Sequence, residues 1–300
     1  MITFIVALSV IIVPFLASCF TAVALFKRKK RLKRTPLKSK LLRAPGESLR
    51  QDIETINEKF EYRWLRWVAL FSIPILILSV LGQLQSGKVH YWQIGLISLL
   101  VLLICGLFIR SIYKNLVHVS QLRLGLDAEL AVGQELNHLM RLGCHVYHDF
   151  PAEEFNIDHV VVGPGGVFAV ETKGRSKPNK GRGTLDAKVI YDGDALRFPD
   201  WHETQPLQQA KRQAVWLSKW LSRATGEQMI ARPVLALPGW FVERTKPGDV
   251  MVINGKTPHV LSKPGNNGKL SEESIQRISH QLEQRCRDVE PVAYRKTKKK

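Results

Sequence analysis

A run of 25 residues without a charged side chain, 2–26, constrains the fold of this chain more than any other feature. A helix of that length is long enough to cross the roughly 30 Å hydrocarbon core of a bilayer. A cleaved signal peptide is disfavoured because no basic residue precedes the run, whereas KRKKRLKR follows it at 27–34. Because positive charge stays on the cytoplasmic side, the sequence predicts a transmembrane helix at 1–26 with its N-terminus outside.

Two further apolar runs, 68–84 and 94–109, predict a transmembrane helical hairpin over 67–112. Aromatic side chains that suit the membrane interface flank these runs, and they are Tyr62, Trp64, Trp67, Tyr91 and Trp92. The stretch 27–66 is then a basic cytoplasmic linker, and its second half predicts a short helix that leads into the next span. The alternative is a buried helical hairpin of a soluble domain. No acidic or basic residue lies within the three runs, so the membrane part is predicted to be an anchor and not a transporter.

The net charge of +18 is distributed unevenly along the chain. Residues 1–120 carry 17 Lys+Arg against 5 Asp+Glu, and the last ten residues add 5 more basic side chains. The remaining stretch, 121–290, is nearly neutral, with 22 basic and 21 acidic residues. The excess charge therefore accompanies the membrane segments and the tail, and it does not by itself indicate nucleic-acid binding. The four cysteines lack CxxC spacing, which disfavours a disulfide framework or a zinc ribbon.

From about residue 121 the pattern is that of an α/β domain. Apolar residues recur at helical spacing up to Gly143, and β-branched runs on both sides of a Gly/Pro turn predict a hairpin. The predicted helices are 122–142 and 204–222. The predicted strands are 145–150, 156–162, 167–173, a small hairpin over 188–198, and closing strands at 233–237, 250–253 and 259–261.

The first hairpin carries the residues that suggest chemistry. If Val162 pairs with Val167 across the turn, Asp158 lies opposite Glu171, and alternation places Lys173 on the same face. Two facing carboxylates repel each other unless a cation lies between them, and hard oxygen ligands suit Mg²⁺, with Mn²⁺ as a substitute. The lysine is placed to orient an attacking water and to offset charge on a phosphate. The alternative is a solvated surface hairpin with a weak salt bridge.

The motifs around this hairpin resemble the nuclease-related domain (NERD), a branch of the PD-(D/E)XK nuclease superfamily. They are GLDAE at 125–129, NIDH at 156–159, GVFAVETKG at 166–174 and QPLQQAK at 205–211, within a resemblance that runs from about 123 to 240. The resemblance implies an α/β, restriction-endonuclease-like core in the order helix, three strands, helix, strand, preceded here by three transmembrane helices.

It also implies a metal-dependent phosphodiesterase with Asp158 and Glu171 as metal ligands and Lys173 as the lysine of the motif. Glu129 matches the acid of the first helix, and Gln209 matches the glutamine of the later helix. The family's usual residues are replaced in two places, by Ala128 before the helix acid and by Gln205 before the proline, but neither change affects Asp158, Glu171 or Lys173.

A Gly/Pro-rich loop after the hairpin holds a basic cluster predicted to contact nucleic-acid backbone, formed by Arg175, Lys177, Lys180 and Arg182. Its alternative is a solvated loop. His145 and His148 lie on opposite sides of their strand, so they do not form a zinc pair. His159 points away from the hairpin carboxylates, as expected of a core or edge residue.

Together these features predict a three-span protein of the inner (cell) membrane. A magnesium-dependent nuclease-like domain, 121–265, lies in the cytoplasm and hydrolyses DNA or RNA, and a C-terminal helix and basic tail, 266–300, follow it. A non-catalytic, membrane-tethered nucleic-acid-binding module is the alternative, and an integral membrane scaffold without a nucleic-acid role is a third interpretation.

Overall fold

The computed structural model describes Thr21 and residues 39–84, 90–181, 183–264 and 269–291. The predicted transmembrane helix at 1–26 therefore lies outside the described residues, apart from Thr21. The chain divides into two compact units, of which Arg43–Cys286 is the larger. In the smaller unit, Leu41 and Val289 form an isolated antiparallel bridge through backbone hydrogen bonds of 2.8 and 3.1 Å.

Two long helices begin the larger unit. Helix α1 is Glu47–Leu84 and helix α2 is Tyr91–Asn137, continued by a 3₁₀ turn, His138–Leu142, that ends at Gly143 in the left-handed conformation. The helices run antiparallel, because Arg63 Nη2 donates to Asn115 Oδ1 at 3.4 Å while Trp67, one turn later, contacts Phe108. Their less exposed side chains recur every three or four residues, as two packed helices require. On α2 these include Ile104, Phe108, Ser111, Asn115, Val119 and Leu122.

One helix in the described part of the chain, Tyr91–Leu142, is long and apolar enough to cross a membrane by length and composition. The second predicted span lies in the last half of α1, where the apolar stretch Arg66–Val80 is shorter. Exposed apolar side chains cover the outer faces of both helices, among them Leu70, Ile73, Leu76, Leu96, Leu99, Leu102 and Leu103. Within the described residues, one helix is thus long and apolar enough to cross a membrane, where the sequence predicts two spans over 67–112.

The predicted span 94–109 and the predicted helix 122–142 form one continuous helix. The connecting residues, 110–121, contain neither glycine nor proline, so nothing in them ends the helix. Likewise, the predicted short helix before the second apolar run is the first half of α1. The predicted domain ranges remain predictions, but α1 crosses the boundary at 66–67 and α2 crosses the boundary at 112–121 without a break.

A five-stranded sheet forms the centre of a mixed α/β fold. The bounds of its strands and of the helices that cover it are β1 His145–Pro151, β2 Asn156–Gly163, β3 Gly166–Thr172, α3 Gln205–Thr225, β7 Ala231–Ala236, β9 Met251–Ile253 and α4 Glu272–Cys286. The strand order is β1-β2-β3-β7-β9, in which β1 to β3 are antiparallel neighbours, whereas β3, β7 and β9 run parallel. The end of α2 packs on one face, and helices α3 and α4 pack on the other. The element order is thus helix, three strands, helix, strand.

A second, four-stranded sheet contains the remaining strands. They are β4 Lys188–Tyr191, β5 Leu196–Arg197, β6 His202–Glu203 and β8 Phe241–Arg244, in the order β6-β5-β4-β8. The predicted small hairpin is confirmed, because Tyr191 pairs with Leu196. The predicted strand at 259–261 is wrong, since Pro258–Leu261 is a 3₁₀ turn. Pro258 has no backbone N–H to offer a sheet, and the turn closes when the Ser262 N–H donates to the His259 carbonyl.

Candidate active site

The hairpin register brings Asp158 and Glu171 together where the paired strands end. Val162 faces Val167 as predicted, and His159 with Val170 is the last pair of the ladder, so Asp158 and Glu171 follow it. At this point the Thr172 N–H donates to Asp158 Oδ2 at 2.6 Å instead of to a strand carbonyl. Glu171 is buried. Asp158 as a whole residue keeps some solvent-accessible surface, but protein atoms surround its carboxyl group.

Lys173 completes the predicted group of three. Its Nζ lies 2.6 Å from Glu171 Oε1, and its backbone N–H donates to the Ala236 carbonyl at 3.0 Å, which anchors it to β7. The structure therefore brings both carboxylates and the ammonium group to one spot, in the arrangement that strand alternation predicts.

Helix α3 supplies a glutamine to this site, but at Gln213. Gln213 Nε2 donates to Glu171 Oε2 at 2.5 Å and to the Asn156 carbonyl at 3.3 Å. The predicted glutamine, Gln209, is half-buried one turn earlier on the same face. A signal for Gln213 does exist in the sequence, because it is the one polar member of the buried stripe of α3: Pro206, Leu207, Ala210, Gln213, Ala214, Leu217 and Leu221.

Glu129, on α2, approaches the same group from the other face of the sheet. Burial, followed by the charges of Asp149 and Glu171, raises the pKa of Glu129 to about 8, although Lys173 and a hydrogen bond from the Gly46 backbone oppose this. Burial and the charges of Glu171 and Glu129 likewise raise the pKa of Asp158 well above its ordinary value. The carboxylates thus repel one another in a poorly solvated place, and a bound cation would relieve that repulsion.

A further acid near the site, Asp149, was not predicted. It lies on β1 with a φ of 49° and is 2% exposed. Its carboxylate accepts hydrogen bonds from Arg43 Nη1 at 2.9 Å, from the Ser48 N–H at 3.0 Å, from the Ser48 hydroxyl, and from Asn156 Nδ2 at 3.2 Å. Nothing in the sequence connects Asp149 with residues a hundred positions earlier, and the available signal is only that of an acid between His148 and Phe150 in a predicted strand.

The predicted basic cluster is partly neutralised by acids. Arg175 forms two hydrogen bonds to Glu203, at 3.0 and 2.9 Å, and Lys180 Nζ lies 2.7 Å from Asp200. Lys177 is exposed. The fourth member of the cluster, Arg182, lies outside the described residues.

Two histidines pack behind the site, between the sheet and α2. His148 Nε2 lies 3.0 Å from Asn137 Oδ1, and because that oxygen can only accept a hydrogen bond, Nε2 carries the proton of the ring. His148 Nδ1 is therefore unprotonated, and it accepts a hydrogen bond from His159 Nδ1 at 2.9 Å. Burial lowers the pKa of His148 to about 4 and that of His159 well below its ordinary value. His145 is exposed and His148 is buried, which agrees with the prediction that they face opposite sides of their strand. His159, predicted to be a core or edge residue, is buried.

The donor set is compatible with a hard cation held by two carboxylates. Within the described ranges, no group of three or more His, Cys, Asp or Glu side chains is arranged to hold a metal ion. Mg²⁺ needs only one or two carboxylates from the protein and takes water or phosphate oxygens in its other positions. Asp158 and Glu171 fit that requirement.

Residues 124–238 match the family model of the nuclease-related domain. The match begins in the last part of α2 and ends after β7, so it contains Glu129, Asp158, Glu171, Lys173 and Gln213. The predicted resemblance to this family is therefore confirmed over these residues. No curated protein and no solved structure matches the chain.

Proposed function

We propose that this protein is a membrane-anchored, metal-dependent nuclease that hydrolyses phosphodiester bonds of DNA or RNA. The observation that carries the proposal is the convergence of Asp158, Glu171 and Lys173 at the end of the hairpin, inside the segment that matches the nuclease-related domain. The element order helix, three strands, helix, strand supports a restriction-endonuclease-like core. Membership of a fold alone would not imply an activity, so the proposal depends on the site.

Asp158 and Glu171 are the residues that would hold Mg²⁺ or Mn²⁺. Such an ion, when bound, polarises the scissile phosphate and lowers the pKa of a coordinated water. The hydrogen bonds from Thr172, Lys173 and Gln213 each use one acceptor position of a carboxylate oxygen. Because every carboxylate oxygen offers two such positions, acceptor capacity remains for the ion.

The other side chains orient these two ligands. Lys173 binds Glu171 Oε1 and Gln213 binds Glu171 Oε2, so the carboxylate plane is held from both sides. Lys173 keeps further N–H donors, which we propose orient the attacking water and offset charge on the scissile phosphate. Glu129 lies on the α2 side of these ligands, and its pKa of about 8 leaves it neutral at pH 7 in the metal-free protein. The charge of a bound divalent cation would favour the ionised form of Glu129.

We further propose that the apolar parts of α1 and α2 lie in the inner (cell) membrane as a hairpin, together with the predicted helix 1–26, and that the sheet lies in the cytoplasm. Their exposed apolar outer faces and the length of the helix Tyr91–Leu142 support this. Glu129 follows the apolar run by 20 residues of the same helix, which at 1.5 Å per residue is about 30 Å. The site would thus stand clear of the lipid headgroups.

A catalytic role is favoured over a non-catalytic binding module. The binding module depends on the basic loop, and two members of that loop, Arg175 and Lys180, already pair with acids. Among the described members of the loop, phosphate contact is therefore assigned to Lys177 first, and Arg175 and Lys180 join only if they exchange partners. The contact predicted for Arg182 stays a prediction. A module that merely binds would have no need of enclosed, mutually repelling carboxylates.

The test uses the full chain in a mild detergent, with labelled single- and double-stranded DNA and RNA, in Mg²⁺, Mn²⁺ or EDTA. Asp158→Ala and Lys173→Ala are compared with Arg277→Gln, a control in which the substituted arginine lies on α4 and pairs with Glu227 and Glu273. We expect metal-dependent cleavage that both site variants lose and the control keeps. Binding without cleavage by the folded wild type would overturn the nuclease in favour of the binding module.

A further inference from the structure

The six residues that precede and begin α1, 43–48, lie against the candidate active site, and we name them the strap. Arg43 and Ser48 together give three of the hydrogen bonds to the Asp149 carboxylate. The Ser48 N–H belongs to the first turn of α1, where backbone N–H groups have no partner within the helix. Asp149 therefore caps α1 from a distant strand, and its negative charge suits the positive end of that helix.

The middle of the strap contacts α2 at Glu129. The Gly46 backbone donates a hydrogen bond to the Glu129 carboxyl group. Gly46 has a φ of 67°, which favours glycine, and a side chain there would collide with Leu126. Pro45 packs on Gly133, one turn after Glu129, so closely that a Cβ on Gly133 would lie 2.7 Å from Pro45 Cγ. The fit leaves little freedom for this turn of α2.

These contacts join three elements that the hairpin motif alone does not connect. The strap binds Asp149 on β1 and Glu129 on α2, and Asp149 in turn accepts from Asn156, two residues before Asp158. Arg43 and Asp149 are largely buried, with side chains 17% and 2% exposed, so water competes poorly for their ion pair. The strap is consequently part of the site's framework.

We propose that the strap positions Glu129 and β1 for the reaction, so that the site is complete only when the chain upstream of the helix pair is docked. This rests on the proposed function, and Arg43 and Ser48 are positioning residues, since they act through Asp149 and Glu129. The α/β domain would then not begin at residue 121, and a fragment starting within α2 would lack part of its own site.

The test uses the full chain in detergent, with Arg43→Gln and Ser48→Ala as strap variants and Arg43→Lys as the conservative variant. Ser271→Ala is the matched control, because the Ser271 hydroxyl accepts from the Ser274 N–H at the start of α4, away from the site. Hydrogen exchange of peptide 124–133 reports the docking of α2. Calorimetric Mn²⁺ affinity, kcat and KM report the site.

We expect the strap variants to speed exchange of 124–133 and to weaken Mn²⁺ binding, each by about tenfold, the size of effect expected when one buried charged hydrogen bond is lost. We expect kcat to fall by a similar factor while KM changes less than about twofold. Arg43→Lys should recover most of the loss, and Ser271→Ala should change exchange only in α4.

If exchange of 124–133, Mn²⁺ affinity and kcat all stay at wild-type values in both strap variants, the proposal is overturned. It is also overturned if the strap variants lower the melting temperature without changing exchange of 124–133, Mn²⁺ affinity or kcat. If the wild type binds no Mn²⁺ and cleaves nothing, the proposed function fails. In that case, hydrogen exchange of peptide 124–133 in the strap variants, compared with the wild type, still tests whether the strap holds α2.

Discussion

Replacing Glu129 by glutamine should stabilise the metal-free protein at neutral and alkaline pH. The buried carboxyl group has a pKa of about 8 in the folded protein, against 4.5 when it is exposed. At pH values between 4.5 and about 8, Glu129 holds its proton in the folded protein but has released it in the unfolded chain. The contribution of Glu129 to the free energy of unfolding is therefore greatest below pH 4.5 and falls as the pH rises through the folded pKa. Glutamine is neutral throughout, so this loss should disappear.

The size of the effect follows from the two pKa values. At 1.36 kcal/mol for each pH unit between them, the wild type should lose about 3 kcal/mol by pH 7 and about 5 kcal/mol above pH 8. The glutamine side chain would also keep a carbonyl oxygen for the Gly46 N–H, so the substitution costs no hydrogen bond there. The unfolding free energies of wild type and Glu129→Gln should agree at pH 4.5 and diverge steadily above it.

The measurement is urea unfolding of the full chain in detergent with EDTA, followed by fluorescence of the domain's tryptophans, at several pH values from 4.5 to 8.5. Glu273→Gln is the control, because that acid is 85% exposed on α4. If the wild-type and Glu129→Gln curves run parallel over the whole range, burial and the neighbouring carboxylates do not raise the pKa of Glu129 as argued. A divergence shown equally by Glu273→Gln would point to a general charge effect and would refute the assignment to Glu129.

Three further predictions follow from the same contacts. Mg²⁺ affinity, measured by calorimetry, should keep rising with pH well above the range in which an ordinary carboxyl group titrates, because Asp158, whose pKa is raised by burial and by the charges of Glu171 and Glu129, must lose a proton to bind the ion; a flat profile would contradict this. Gln213→Ala should lower cleavage about 10- to 100-fold and stability by about 2 kcal/mol, since Glu171 loses a buried donor. Gln209→Ala should have the smaller effect in both assays, and the reverse order would contradict the placement of Gln213. Arg285→Met should lower unfolding free energy by about 1–2 kcal/mol without changing cleavage, because Arg285 lies over three aromatic rings and donates to a backbone carbonyl; lost cleavage at unchanged stability would contradict it.

The hairpin site could be predicted because its information is local. Strand alternation and a four-residue turn determine which side chains face each other, and the observed register, Val162 with Val167, is the predicted one. The end of the helix at Gly143 was predictable for the same reason, since the left-handed conformation there favours glycine. The strand predicted at 259–261 failed because a run this short does not outweigh a proline that starts a turn.

The sequence by itself determined the apolar runs, the order of the α/β elements, and the meeting of Asp158, Glu171 and Lys173, because each depends on spacing along a short stretch of chain. Only the tertiary structure decided that α2 is continuous from its apolar part to Glu129, that Gln213 is the glutamine on Glu171, and that residues 43–48 bind Asp149. Those features depend on how helices lie against the sheet. Contacts between residues a hundred positions apart leave no periodic pattern in a single sequence, so they become visible only in the folded structure.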